Sequence, residues 1–560
     1  MRDSAGFLRI RSSFLALLAL VGFAVVVSSS IGQDIEWISP ENQFGLLQIL
    51  PPAYLMGLSL VVLSILLGIR NGNENLFFVQ ALLLFVSIWG ASSFFEPYPS
   101  IPDTYFHYQT VESIIRTGST EVGIYTYGSN YPGFFLLTAH YSLLGNPSVL
   151  SFLRFYPIFA AALTLLALYL FVRCYAPRLH YRYALLICIL ANVWIQVHFS
   201  PQSLGFAAGI LVFVFLEREG LEWLLAAVAV FSFVVVSHPT TAIFLVGAMA
   251  LREATLRTYR FLKRRAPLKI ERAWPISIFL LIWVSWLFTG AMSYSDLLVD
   301  TLSQRFGDIA LLPSAAAETI DLRTGGNLFP IPPLIRTAAV GALVLLSFLS
   351  ILFFIVKRKK VDQRLPTNVL ALFALPFIVV PLDIVIFNGQ FYDRGFLFLV
   401  LGSSIITTLL IIGAMKGVLR ALIASSLIIM AGASMATTYY QESLYVMSGE
   451  SLSASDFLDS HIANSSFVLG GIYPDHIWGD SPPSEFLKLK FATMYPQSYG
   501  NISSRFSSAS ALVFDRSSEL WHRQYGVMGL YKYYLKGTAN LTRVYDSGAY
   551  IMYSGGIAGR

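Results

Sequence analysis

Residues 150–172 read LSFLRFYPIFAAALTLLALYLFV, an apolar run whose single charge, Arg154, lies a few positions from its start. Such a run matches the roughly 20 residues a helix needs to cross the hydrocarbon of a bilayer. Twelve more can be counted, at about 13–31, 47–69, 75–95, 183–199, 203–216, 221–237, 239–251, 274–291, 334–356, 368–387, 396–414 and 419–437. The chain of 560 residues is 56% hydrophobic and 12% charged, with a mean hydropathy of +0.64. A soluble domain carries about a quarter charged residues. The composition therefore predicts a polytopic α-helical membrane protein of about thirteen spans.

The basic residues orient those spans. With the N-terminus inside, the cytoplasmic segments hold 23 Lys and Arg, among them Lys263-Arg264-Arg265 and Lys357-Arg358-Lys359-Lys360. The external loops and helix ends hold six, all arginine: Arg116, Arg154, Arg305, Arg323, Arg336 and Arg394, and the remaining nine of the 38 lie beyond residue 437, in a tail this topology places outside. The pI near 9.0 thus reports orientation against anionic headgroups and not nucleic acid. The expected location is the plasma membrane. The first run, preceded by Arg2, Arg9 and Arg11, reads as an uncleaved anchor. Cys174 and Cys188 both fall toward the cytoplasmic side, so no disulfide framework is expected.

Three regions emerge from this map. Residues 1–74 form an N-terminal membrane hairpin. Residues 75–437 form a membrane module with long external loops at 96–149 and 292–333. Residues 438–560 return to soluble composition and read as a small extracytoplasmic α/β domain. In that tail, 453–463 suggests a helix, 466–472 and 511–515 strands, and 544–553 a hairpin turning at Ser547-Gly548. All three sequons with a permissive middle residue, at Asn464, Asn501 and Asn540, lie there, as an external tail requires.

The first external loop concentrates the chemistry. In Pro102-Asp103-Thr104-Tyr105-Phe106-His107, Asp103 and His107 are four residues apart and share one helix face. Tyr108, Val111 and Ile115 give that helix an apolar side to lie on the bilayer surface. Asp103 reads two ways. It is a helix cap, or it is a general base that takes a proton from an attacking hydroxyl. His107 either shares a divalent ion with Asp103 or orients the carboxylate by a hydrogen bond. Glu96 supplies a third ligand or faces water. A second amphipathic helix is expected from Tyr131 to Leu144, with Pro132 at its start.

Arginine suits phosphate because its donor fork matches the oxygens. Arg154, Arg336 and Arg394 each open or nearly open a span, so each holds a lipid phosphate or snorkels to ordinary headgroups. Asp383 lies inside a span and faces a cavity or pairs with Arg394. Of the histidines at span mouths, His198, His238 and His140, His238 in Ser237-His238-Pro239-Thr240 is the leading candidate to line a site.

Asp103-Thr104-Tyr105-Phe106-His107, Ile114-Ile115-Arg116-Thr117-Gly118 and Tyr131-Pro132-Gly133 resemble the first external loop of the GT-C superfamily, integral membrane glycosyltransferases that use polyprenyl-phosphate sugars. Ser200-Pro201-Gln202-Ser203-Leu204-Gly205 and Ser237-His238-Pro239-Thr240 are similar to segments of uncharacterised archaeal members, and Val544–Gly548 to their tails. The chain lacks a Trp-Trp-Asp triplet, and its first loop lacks a paired Asp-Asp or Asp-Glu, which leaves Glu96 as the alternative base.

The resemblance implies transfer of a sugar from a polyprenyl-phosphate donor to an extracytoplasmic glycan or glycoprotein. Asp103 would act as base in one inverting displacement, with His107, Arg154, His238, Arg336, Asp383 and Arg394 binding substrate. Two rival readings are a transporter or flippase of lipid-linked glycan and a non-catalytic membrane scaffold. The nearly charge-free spans disfavour translocation, and a scaffold leaves Asp103 unexplained.

Overall fold

The computed structural model describes residues 11–39, 41–69, 73–121, 126–177, 180–262, 274–307, 329–356, 366–386, 391–413, 429–430, 432–440 and 442–450. In the tail it describes 453–454, 457, 468–470, 511–515, 523, 542–547 and 550–554. The three sequons, Arg323, Lys263–Arg265 and Lys357–Lys360 lie outside these residues, as do most of the tail helix expected at 453–463 and part of the run at 419–437.

The chain is mostly helical. Helices α1 (Ser12–Ser28), α2 (Leu46–Ile49) and α3 (Pro52–Gly68) come first. α1 and α3 touch backbone to backbone, since a Cβ on Gly57 would stand 2.6 Å from the Gly22 carbonyl oxygen. α4 (Glu74–Trp89) is capped by Asn73, whose Oδ1 accepts from Leu76 N at 3.1 Å. Tyr54 on α3 donates to the Ser87 carbonyl, tying the N-terminal hairpin to α4.

After α5 (Ala91–Phe95), the first loop folds into α6 (Pro102–Thr117), α7 (Thr126–Asn130) and α8 (Gly133–Gly145). α6 starts with Pro102 and ends at Gly118 in the left-handed region, φ 65°. The expected bilayer-facing side of α6 is corrected here. Tyr105, Tyr108, Val111 and Ile114 are buried against Phe134 and Phe135 of α8, Phe199, and Leu153 and Tyr156 of the next helix. A stripe that suits lipid equally suits other apolar helices. The first residue of α8 is glycine because a Cβ at position 133 would meet Ser237 Oγ at 2.5 Å.

The helices continue with α9 (Val149–Tyr175), α10 (Tyr181–Leu190), α11 (Pro201–Leu216), α12 (Leu221–Ser237), α13 (Pro239–Leu262), α14 (Trp274–Thr289) and α15 (Met292–Gly307). Then come α16 (Ile331–Val356), α17 (Thr367–Ala374), α18 (Pro376–Ile386), α19 (Tyr392–Gly413) and the short α20 (Glu442–Tyr445). Among the described residues three helical stretches are long and apolar enough to cross a membrane: Val149–Tyr175, Ile331–Phe353 and Thr367–Ile386. A fourth candidate is the pair α14 and α15, bent by 93° at Gly290-Ala291.

Three expected runs differ in detail. The run at 183–199 is helical only to Leu190, and the chain from Ala191 to Ser200 is irregular until Pro201 opens α11. The run at 239–251 extends to Leu262, because Arg252-Glu253-Ala254 continues with good helix formers. The run at 368–387 breaks before Pro376, which has no N–H to continue the ladder.

In the tail, strands β1 (Val468–Gly470), β2 (Ala511–Asp515), β3 (Thr542–Asp546) and β4 (Tyr550–Ser554) form one sheet in the order β1-β2-β4-β3. β1 and β2 run parallel, while β3 and β4 form the expected hairpin with an irregularity between Arg543 and Tyr545.

Candidate functional site

α6 presents Asp103 in its first turn, where a carboxylate faces the positive end of the helix. The cap position itself is Ile101, so Asp103 is not the N-cap; its side chain is exposed. One turn on, His107 is buried with Nδ1 3.0 Å from the Phe199 carbonyl oxygen. A carbonyl only accepts, so Nδ1 carries the proton and Nε2 the lone pair. The bond ties α6 to the irregular stretch before α11. That stretch also brings His198 within electrostatic reach of both Asp103 and His107. Burial pushes the His198 imidazole down to about 4, with Asp103 pulling it up and His107 adding to the fall. His198 is therefore neutral at neutral pH.

The segment Ser200–Gly205 arranges the next wall. Ser203 Oγ shares a hydrogen bond of 2.7 Å with Tyr156 OH, and Gln202 Oε1 accepts from Arg394 Nε at 3.0 Å. Gly205 leaves room for His238, whose Cβ would lie 3.2 Å from a Cβ there. His238 is buried, and its Nδ1 accepts from Thr241 N at 3.3 Å while pairing with Thr241 Oγ1 at 2.7 Å. It thereby serves as the N-terminal cap of α13. It also stands close enough to feel Arg394 and His107. From α15, Tyr294 meets Tyr131 edge-on at 5.3 Å and interacts electrostatically with Arg394.

Asp103, His107, His198, His238 and Arg394 thus gather at one corner, drawn from four helix ends and one irregular segment. The other expected residues have described partners as follows. Arg154 donates Nε to the Ser93 carbonyl at 3.1 Å and Nη2 to that of Phe94 at 3.4 Å. Arg336 stacks over Trp194 at 4.3 Å and Tyr440 at 5.2 Å, and gives Nη2 to the Thr437 carbonyl at 2.7 Å. Asp383 is buried and accepts from Phe391 N at 2.8 Å, which joins α18 to the start of α19.

Glu96 is buried just after α5, and burial raises its pKa to about 8 against the opposing pull of Ser100 and Arg154. Beside it stands Glu442, a residue that sequence reasoning passed over. Burial pushes Glu442 well above the usual carboxyl range, and Glu96 pushes it further. Glu442 sits in a polar stretch past the last apolar run, where nothing local marks it as buried. His198 was visible at a span mouth, yet its proximity to Asp103 depends on α10 ending early. Asp103 and His107 supply two donors for a divalent ion, and the described residues contain no group of three or more His, Cys, Asp or Glu arranged to hold one.

No family model matches the chain, and no curated protein sequence is similar to it. Among solved structures, the crystal structure of ArnT from Cupriavidus metallidurans bound to undecaprenyl phosphate is 13% identical, covering 86% of this chain and 98% of that one, with a TM-score of 0.35. A likeness at that score bears no weight on fold or function.

Proposed function

We propose that the protein is a multi-pass plasma-membrane glycosyltransferase of the GT-C type. On this reading the N-terminus is cytoplasmic and the tail extracytoplasmic. A sugar moves from a polyprenyl-phosphate donor to an extracytoplasmic glycan or glycoprotein. The observation that supports the reading is the convergence of an exposed carboxylate, neutral imidazole and a guanidinium at one corner of an apolar helix assembly. Base and phosphate partner are what an inverting transfer from a lipid phosphate needs.

Asp103 removes the proton of the acceptor hydroxyl as its oxygen attacks the anomeric carbon. The bond from that carbon to the phosphate oxygen breaks, and the phosphate departs with the electron pair. Arg394, held at Nε by Gln202, stabilises the developing charge. Arg394 is preferred over Arg154 and Arg336 because it stands within electrostatic reach of His238 and Tyr294 at this corner. His107 and His238 line the donor side.

The test is a mass profile of surface glycans in cells lacking the gene, re-supplied with wild-type protein or Asp103→Asn at equal expression. A glycan short by one sugar, restored by wild type and not by Asp103→Asn, is the expected outcome, with transfer by the variant reduced about 10²- to 10⁴-fold. Equal restoration by both removes Asp103 as the base.

A further inference from the structure

Beside the corner that holds Asp103 is a cavity with about 330 Å³ of empty space, part of it continuous with solvent. Its lining includes Ser93, Glu96, Thr104 and His198. Ser93 Oγ, both carboxyl oxygens of Glu96, Thr104 Oγ1 and His198 Nδ1 are buried without a hydrogen-bond partner among the described residues. Ser100 stands next to Glu96 without closing a bond of good geometry. Buried polar atoms are nearly always paired, and each one left unpaired is costly. Five such atoms on residues that line one cavity point to an occupant.

We propose that this cavity is a subsite for a neutral sugar ring, which holds the acceptor's hydroxyl groups beside Asp103. The assignment rests on the transferase reading above and adds the class of acceptor to it. Hydroxyls, a neutral carboxyl and a neutral imidazole each combine donor and acceptor capacity, as sugar hydroxyls do. The guanidinium of Arg154 is turned to the carbonyls of Ser93 and Phe94, so it braces the wall and leaves the described cavity without an aimed charge. Tyr98 and Phe199 supply aromatic surface for the ring's apolar face. Tyr105 OH donates to the Pro99 carbonyl at 2.8 Å and fixes the turn that carries this wall. His198 lines the cavity and interacts electrostatically with Asp103, which sets the cavity near the base.

Glu96 has a second role in this assignment. At neutral pH it keeps its proton and can donate to a sugar oxygen; above about 8 it ionises. The groups that face it are Glu442 of α20, Tyr439 before that helix, Arg154 of α9 and Ser100 on its own stretch, with His198 across the cavity.

The experiment uses the full-length protein in lipid nanodiscs with methyl α-D-mannopyranoside and methyl β-D-glucopyranoside as probes, read by saturation-transfer NMR. Transfer from at least one glycoside is expected at pH 7, weakening above pH 8. Thr104→Val, which keeps shape and removes the hydroxyl, weakens binding about threefold to tenfold. Glu96→Gln retains donor and acceptor atoms and binds with a pH dependence flattened relative to wild type. No transfer from either probe, or titrations identical in wild type and Thr104→Val, overturns the subsite and leaves a water-filled cavity. Loss of the surface glycan in deleted cells without glycoside binding refutes the subsite alone. Glycoside binding with an unchanged glycan profile overturns the acceptor role together with the transferase reading.

Discussion

The pair Glu96 and Glu442 makes the stability of the protein fall as pH rises, and Glu96→Gln should remove the share of that fall that Glu96 carries. The folded chain holds the Glu96 proton up to about pH 8, whereas the unfolded chain releases it near 4.5. A carboxyl with a raised folded-state pKa contributes fully below the unfolded value and loses that contribution as pH climbs toward the folded one. His198 titrates in the opposite sense below 6.5, since its folded value lies at about 4. Between 6.5 and 8 the His198 contribution is flat, and the slope comes from the Glu96 and Glu442 pair. Across that window, at about 1.4 kcal/mol per pH unit, the loss amounts to about 2 kcal/mol. In a chain of this size that lowers the melting midpoint by on the order of 3 °C. Cys188 is fully buried and suits a thiol-reactive dye as the reporter of unfolding, with Cys174 as background. Glu442 titrates with Glu96 as a coupled pair, so a residual slope remains in the variant. A wild-type midpoint that stays flat from pH 6.5 to 8, or a Glu96→Gln protein that keeps the full decline, would refute the reasoning.

Phe199 is buried with Phe134 at 4.8 Å, Tyr156 at 5.0 Å and Phe152 at 5.6 Å, so Phe199→Ala should cost about 3–5 kcal/mol in the same melt. Gly57→Val drives a side chain into the Gly22 backbone and should cost about 1–3 kcal/mol, read as a lower midpoint. Arg336→Lys loses the stack on Trp194 and the geometry of the bond to Thr437, and should lower stability by about 1–3 kcal/mol. If Arg336→Lys melts like wild type, the stack is not a stabilising contact.

Apolar runs and their punctuation were legible in the chain because they are local: Pro102 opens α6, Pro132 precedes α8, and β3 pairs with β4 as the expected hairpin, with Gly548 of its turn outside the described residues. Asp103 and His107 were legible as a pair because four residues of helix set their relation. The choice of which apolar face meets lipid and which meets protein is not local, and the chain alone does not encode it visibly. Tyr108 and Val111 read as a membrane-facing stripe and are instead packed under Phe134 and Phe199. The fates of the arginines were hidden for the same reason. Arg154, Arg336 and Arg394 look alike in sequence, and their differences arise from carbonyls and aromatic rings distant along the chain. Glu442 shows the limit most sharply, since its neighbour Glu96 precedes it by most of the chain's length.

The right-angle turn between α14 and α15 bears on how any substrate arrives. If α14 stands across the bilayer, α15 runs along its surface, with Met292, Leu297 and Val299 exposed. Tyr294, at the start of α15, packs edge-on against Tyr131 and lies within electrostatic reach of Arg394. On the transferase reading proposed above, a long-chain lipid donor that approaches this corner along α15 moves in two dimensions. Turnover in reconstituted vesicles would then track the mole fraction of that lipid in the membrane, and adding inert lipid at constant total substrate would slow it.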